Sequence, residues 1–564
     1  MGGYGLHGVV VLILISVLCA AVISFEINPR VKIQEGYVRG ITLSSRKNKQ
    51  FSAFLGIPYA EPPTGNLRFA HPLPKQPWNK TLVADTNGPV CPQFKDNIVI
   101  GNEDCLYLNV YTPWFVQQNQ GRLLPVLVYV SGGGFISGDG TSTRWPPTYI
   151  MDKDIVLILM NYRSGALGFL NTGDNVATGN YGLKDQVLAL KWVQRNIRQF
   201  GGDPNRVTLA GHSAGSCSVH LHSLSKMSKG LFHQSIAMSG SALMIAGLKG
   251  DVDFFYQYPK KIADMYKCPT SSSSAIVKCL RTLTVSQLVE TEKLFGDPYI
   301  FSFDMWRPWV EKGSNETFLS EDPNTLISND GMMDIPFMAG IVKDEALWST
   351  VGLYNNDTFY KFTTNNLDKI IESLLKFHVS PKKAASLVNK FKDFYFNGTI
   401  STDRELVIRQ ITNFTSDVEY VYPLYKILQN QLRSAEEDFY MYNFQYRGTF
   451  SRTSQVLHNN RDVGVAHADD VTYFFPLKPS LFEMPGLTMS ETDYEMVDLM
   501  IDLWTSFVIN GSPTSNYLGD PHMWKPYGQE KNYLLIGYNN KATTVPSKDC
   551  YKDRMDFWER HVGI

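Results

Sequence analysis

Between residues 124 and 241 the chain alternates wholly apolar runs with turn residues and one amphipathic stretch. Leu124-Pro-Val-Leu-Val-Tyr-Val130 is apolar throughout and ends in Ser131-Gly-Gly-Gly134. Ile155-Val-Leu-Ile-Leu-Met160 is a second such run, ending in Asn161-Tyr-Arg163. Continuous β-branched and leucine runs of this length predict strands covered on both faces. Residues 185–200 instead repeat apolar positions at Val187, Leu190, Val193 and Ile197, the period of a helix. Arg206-Val-Thr-Leu-Ala210 predicts a third strand, followed at once by Gly211-His-Ser-Ala-Gly215 and a further helix. Strand and helix in alternation predict a parallel sheet with helices on both faces. Later strands are predicted at 335–341 and 438–445, with a mainly helical stretch at 361–434. No internal repeat, low-complexity tract or proline-rich linker interrupts the pattern, so one large α/β domain over residues 25–564 is expected.

Composition narrows the function. Hydrophobic residues make up 43% and charged residues 19% of 564, enough apolar surface for a sizeable core. The formal net charge of -1 offers no basic field for nucleic acid. Val9 to Leu18 is apolar apart from Ser16, too short to span a bilayer. Small residues follow at Cys19, Ala20, Ala21 and Ser24, so residues 1–24 are expected to be a cleaved signal peptide and the mature protein secreted, without a membrane anchor. Of the remaining cysteines, Cys91 with Cys105 and Cys268 with Cys279 form close pairs that would each close a short loop in an oxidising compartment. Cys217 and Cys550 look unpaired, although a bond between them stays open. No spacing resembles a zinc site, and no motif requires a cofactor. Sequons at Asn79, Asn315, Asn356, Asn397 and Asn413 are candidate glycosylation sites; the one at Asn510 is weakened by Pro513.

The chemistry starts at Gly211-His-Ser213-Ala-Gly215, a G-x-S-x-G pattern between a predicted strand and a predicted helix. A sharp strand-to-helix turn exposes the serine, and the helix N-terminus behind it offers N–H groups to an oxyanion. Ser131-Gly132-Gly133-Gly134-Phe135, after an earlier strand, can supply further N–H donors, with Ala214 adding one from the turn. A serine nucleophile needs a base, and the base an acid to hold its tautomer. Among 11 histidines, His467 in Gly464-Val-Ala-His-Ala-Asp-Asp470 is the best placed. His212, His220 and His222 share the serine's own turn and helix. Lys343-Asp-Glu345 follows a predicted strand and falls between serine and histidine in chain order, as this arrangement requires. The residues themselves leave Asp344 and Glu345 equally eligible as the acid.

These residues carry a resemblance. Phe200-Gly-Gly-Asp-Pro-Asn-Arg-Val-Thr-Leu-Ala-Gly-His-Ser-Ala-Gly215 and Glu103-Asp-Cys-Leu-Tyr-Leu-Asn-Val-Tyr111 are similar to two signatures of the type-B carboxylesterase/cholinesterase family. Phe54-Leu-Gly-Ile-Pro-Tyr-Ala60, Leu67-Arg-Phe69 and Gly182-Leu-Lys-Asp-Gln186 add to the likeness, which covers the mature chain. It implies an α/β-hydrolase fold and a serine carboxylesterase acting on small esters. It implies Ser213 as nucleophile, His467 as base and Glu345 as acid, with oxyanion donors from Gly133, Gly134 and Ala214. It implies a buried supporting serine at Ser239, disulfides Cys91–Cys105 and Cys268–Cys279, and structural ion pairs Arg68 with Glu103 and Arg163 with Asp185. Departures matter too. Ser131 stands where the family usually has His before the glycines. The loop after Asn97 lacks the Trp that cholinesterases use to bind a quaternary ammonium, so choline esters are not expected. The stretch after Ser241 lacks the acyl-pocket Trp of many relatives, which implies a roomier or differently closed site. His212 and the run after His467 are most similar to general insect carboxylesterases. Within the same class the alternatives are a juvenile hormone, odorant or xenobiotic esterase. Outside it they are a non-catalytic adhesion-type protein or a sequestering binder.

Overall fold

The computed structural model describes residues 28–95, 98–113, 122–245, 257–293, 306–312, 316–476 and 486–563. The expected signal peptide and Asn315 lie outside them. Eleven strands form the main sheet: β1 (Ile41–Ser44), β2 (Gln50–Pro58), β3 (Tyr107–Pro113), β4 (Leu124–Val130), β5 (Val156–Met160), β6 (Gly202–His212), β7 (Gln234–Met238), β8 (Phe337–Val342), β9 (Phe439–Phe444), β10 (Asn532–Ile536) and β11 (Thr544–Lys548). Their order across the sheet is β11-β10-β9-β8-β7-β6-β4-β5-β3-β2-β1. From β5 to β10 every neighbouring pair is parallel, while β1, β2, β3 and β11 add antiparallel edges. This is a large, mostly parallel sheet with helices on both faces, the α/β-hydrolase architecture.

The unbroken apolar runs follow from burial on both sides. In β4, Val126, Val128 and Val130 pack into one core cluster with the helix Tyr181–Asn196, while Leu127 and Tyr129 pack into another with the helix Glu491–Asn510. A third cluster covers the β7 to β9 part of the first face with helices between Arg404 and Ser434. The helix predicted at 185–200 begins earlier, at Tyr181, because its first turn is buried too: Lys184 is held by Glu311 at 2.6 Å. The strand predicted at 206–210 runs longer, Gly202–His212, with a register break between Gly202 and Val207 where the Gly-Asp-Pro-Asn segment interrupts β-type residues.

Parallel strands all end at the same edge, and ligand crevices form there. Beyond the C-terminal ends of β4, β6 and β8 come Ser131–Gly134, Ser213 and Glu345 in turn. β6 and β8 stand two strand spacings apart, about 10 Å. A carboxylate and an imidazole in series can bridge such a gap.

Candidate active site

The serine turn is set by the main chain. Gly211 pairs with Val130 and His212 with Met238, and Ser213 follows with φ 59° and ψ -126°, outside the regions favoured by residues with a side chain. Such a conformation costs on the order of 1–3 kcal/mol and persists only under tight surroundings. Those surroundings are visible. The Ser213 N–H donates to the Met238 carbonyl at 2.9 Å, and Cys217 N–H returns to the Ser213 carbonyl at 2.9 Å. A Cβ on Gly215 would lie 2.1 Å from the Val130 carbonyl oxygen, so the helix Ala214–Leu224 can start against β4 only with glycine there. Gly132 meets the same turn from the other side: its Cβ would stand 2.5 Å from the His212 carbonyl oxygen and 2.7 Å from Ser213 Cβ.

Gly133 and Gly134 have φ of 132° and 61°. The Gly133 carbonyl accepts from Ile136 and Ser137, which folds the turn back on itself. Among the described residues, the N–H groups of Gly133, Gly134 and Ala214 donate to no protein acceptor, and all three residues line one cavity with Ser213. Ser131, in the position usually held by His, is anchored through its carbonyl, which accepts from Tyr162 Oη at 2.8 Å.

Glu345 and His467 arrive from distant chain. His467 Nδ1 lies 2.7 Å from a Glu345 carboxylate oxygen, and the other oxygen accepts from Val342 N–H at 2.9 Å. Glu345 is fully buried, and the imidazole lines the cavity that holds Ser213. The neighbouring acid has a different task. Asp344 Oδ2 accepts from Val465 N–H, and Asp344 N–H donates to the Val465 carbonyl, both at 3.0 Å, clamping the loop that carries His467. The geometry therefore separates two residues that position and chain order leave equivalent, and it agrees with the resemblance in favouring Glu345. The loop is held further by Asp469, which accepts from Ala466 N–H and Arg452 N–H at 2.8 Å each. Burial pushes the Asp469 carboxyl up to about 6. Burial and the Glu345 charge push Asp470 up to about 7.

The rest of the wall was not anticipated from sequence. A π-helical turn at Asp417–Val421 projects Glu419 and Tyr420 into the cavity. Tyr420 and Trp348 rings flank the imidazole at 5.0 and 6.2 Å, and Trp348 Nε1 donates to Tyr420 Oη at 3.0 Å. The His212 ring lies tilted against that of His467, centroids 4.5 Å apart; burial, then the charged form of His467, hold it well below the ordinary histidine range, so it is neutral at pH 7. The cavity measures about 220 Å³ and is also lined by Arg144, Trp145, Arg307 and Arg452. Apart from His212, which stands inside the serine motif, no motif marks these positions.

Ser239 is buried with φ 51°, and its N–H donates to the Gly340 carbonyl at 2.9 Å. Its hydroxyl has no partner among the described residues. Disulfides join Cys91 to Cys105 and Cys268 to Cys279, while Cys217 and Cys550 are free thiols. Arg68 grips Glu103 and Arg163 grips Asp185 through paired hydrogen bonds of 2.6 to 2.8 Å, away from the cavity. Asn79, Asn356 and Asn397 are exposed, whereas Asn413 is half-buried on a helix. No described helix is long and apolar enough to cross a membrane.

The model of the carboxylesterase family matches residues 27–558. The chain is 36% identical to a juvenile hormone esterase of Tribolium castaneum, over 94% of each. It is 34% identical to esterase E4 of Myzus persicae, over 92% of each. The crystal structure of juvenile hormone esterase from Manduca sexta with OTFP covalently attached matches with a TM-score of 0.81 at 28% identity, covering 95% of this chain and 100% of that one.

Proposed function

The chain belongs to the carboxylesterase family of ester hydrolases, and from that premise we propose that it cleaves small carboxylic esters through an acyl-enzyme on Ser213. His467 Nε2 takes the hydroxyl proton as Ser213 Oγ bonds to the ester carbonyl carbon. The oxygen that becomes negative rests on the N–H groups of Gly133, Gly134 and Ala214. The ester C–O bond then breaks, and His467 returns the proton to the departing alkoxide. Water repeats the cycle: it gives its proton to His467, its oxygen bonds to the acyl carbon, and the acid leaves as Ser213 regains its proton. Glu345 holds the imidazole tautomer and faces the imidazolium. The observation that carries this reading is the 2.7 Å Glu345–His467 contact beside the cavity that Ser213 and the three uncommitted N–H groups share.

Ser213→Ala is expected to lower kcat on a 4-nitrophenyl ester by about 10⁶-fold, and a fluorophosphonate should label the Ser213 peptide. Activity within tenfold of wild type would remove Ser213 from this role. A second reading in the same class is that the natural ester is juvenile hormone, supported by the likeness to juvenile hormone esterases. A kcat/KM on juvenile hormone more than a hundredfold below that on 4-nitrophenyl acetate would set it aside.

Residues 1–24 are assigned to a cleaved secretion signal, with the rest of the chain as one catalytic domain. The two disulfides support an oxidising destination. N-terminal sequencing of protein from the medium checks the cleavage, and a mass shift on deglycosylation checks the exposed sequons.

A further inference from the structure

The cavity wall carries more positive charge than ester hydrolysis uses. Among the described lining residues are Arg144, Arg307 and Arg452, against one carboxylate, Glu419. A buried cation is costly unless hydrogen-bonded to a counter-ion. The Arg452 Nε is buried and without a hydrogen-bond partner among the described residues. Asp469, the carboxylate whose field reaches Arg452, accepts instead from the main-chain N–H groups of Arg452 and Ala466. Those same bonds tie Arg452 to the loop of His467, so its guanidinium is carried on the frame that carries the base. Burial and the like charge of Arg144 hold that guanidinium below its usual range. Arg144 is itself loosely paired, 3.8 Å from Asp139, with its guanidinium 5.2 Å from the centre of the Trp145 ring. The Asp139 oxygen Oδ1 is taken by the Thr141 N–H and hydroxyl, so Arg144 meets only Oδ2, at that long distance. Two cations line this partly open cavity, Arg452 half-buried and Arg144 with an exposed side chain, and both keep hydrogen-bond capacity unspent within the protein. A carboxylate matches an arginine fork geometrically and relieves the repulsion between the two.

We propose that Arg452, with Arg144 beside it, forms an anion-recognising subsite of the substrate cavity, so that the preferred esters carry a free carboxylate on the part not attacked, as half-esters of short dicarboxylic acids do. This rests on the ester-hydrolase reading of Ser213 and His467 and names the substrate class of that site.

The test compares kcat/KM for monomethyl glutarate with that for neutral methyl hexanoate, using 4-nitrophenyl butyrate as a reference for the reaction itself. Wild type is expected to favour the half-ester at least tenfold, and glutarate to inhibit competitively. Arg452→Met should lower the half-ester to neutral-ester ratio roughly 10- to 100-fold, the worth of a charge-assisted hydrogen bond. Arg452→Lys should restore part of it. Should Arg452→Met fail to fold, Arg144→Met reads the same ratio. A wild-type ratio at or below one, or a ratio unchanged in a folded Arg452→Met protein, overturns the anion subsite while the esterase reading stands. Failure of wild type to hydrolyse 4-nitrophenyl butyrate sinks the esterase reading itself.

Discussion

The wall that carries Ser213 is positioned by main-chain geometry, whereas the wall that carries His467 is positioned by buried carboxylates. On the first side a left-handed serine, glycines in contact with neighbouring carbonyls and three uncommitted N–H groups leave little for side chains to do. On the second, Asp344, Glu345 and Asp469 each accept main-chain N–H groups, and Asp470 accepts from Tyr442 Oη at 3.1 Å. The two sides should therefore fail differently. Added volume breaks the first, and altered charge breaks the second.

Among changes that test this contrast, the largest effect is expected from Glu345→Gln, which keeps the shape but removes the charge facing the imidazole. By analogy with the aspartate-to-asparagine change in a serine triad, kcat falls by about 10⁴-fold. Steady-state rates on an aryl ester decide it; a loss under tenfold would move the acid's role elsewhere. Next comes Gly215→Ala, whose methyl meets the Val130 carbonyl oxygen. Overpacking of this kind costs about 3 kcal/mol, read as a lower denaturant midpoint, and an unshifted midpoint would mean that the serine turn yields more easily than its contacts imply.

A third effect depends on pH. The folded-state carboxyls of Asp469 and Asp470 sit near 6 and 7, above the unfolded value of about 3.9. The unfolded chain thus releases these protons first, and their contribution makes stability fall as pH rises from about 4 to about 7. Asp470→Asn removes one such group. Relative to wild type, the variant should gain roughly 1–3 kcal/mol between pH 4.5 and 7.5, measurable by chemical denaturation at the two values. A parallel pair of pH profiles would contradict the buried-acid description. The smallest effect belongs to Asp344→Asn. An amide oxygen can still accept from Val465 N–H, so kcat should stay within about tenfold. If it collapsed as far as Glu345→Gln, the division of labour between the two neighbours would be lost.

Much of the sheet was legible because a strand buried on both faces writes itself as an unbroken apolar run. The prediction at Leu124–Val130 coincides with β4, and those at 155–160, 335–341 and 438–445 fall within two residues of β5, β8 and β9. The outermost strands were not read: β1, β10 and β11 are only partly buried and carry no clean alternation. The long helix Glu491–Asn510 also went unremarked, although its polar stripe of Glu491, Glu495, Asp498, Asp502 and Ser506 recurs at helical spacing. Within the site, the serine and glycine turns were readable because their requirements are local. Tyr420, Glu419 and Trp348 were not, because a π-helical turn and a ring packed on an imidazole leave no spacing to recognise.

By itself the amino-acid sequence determined where the chain must turn sharply, which segments must be buried on both faces, and which hydroxyl stands on the strained turn. These are short-range consequences of missing Cβ atoms and β-branched side chains, and they hold wherever the segment ends up. Patterning and chain order left open what the tertiary structure decided, that Glu345, and not Asp344, meets an imidazole 122 residues further on, and that Arg144 and Arg452 face one cavity. Both outcomes depend on strand register and loop packing across the sheet edge. A one-residue shift of the loop after β8 would bring Asp344 or Ala346 to the place of Glu345.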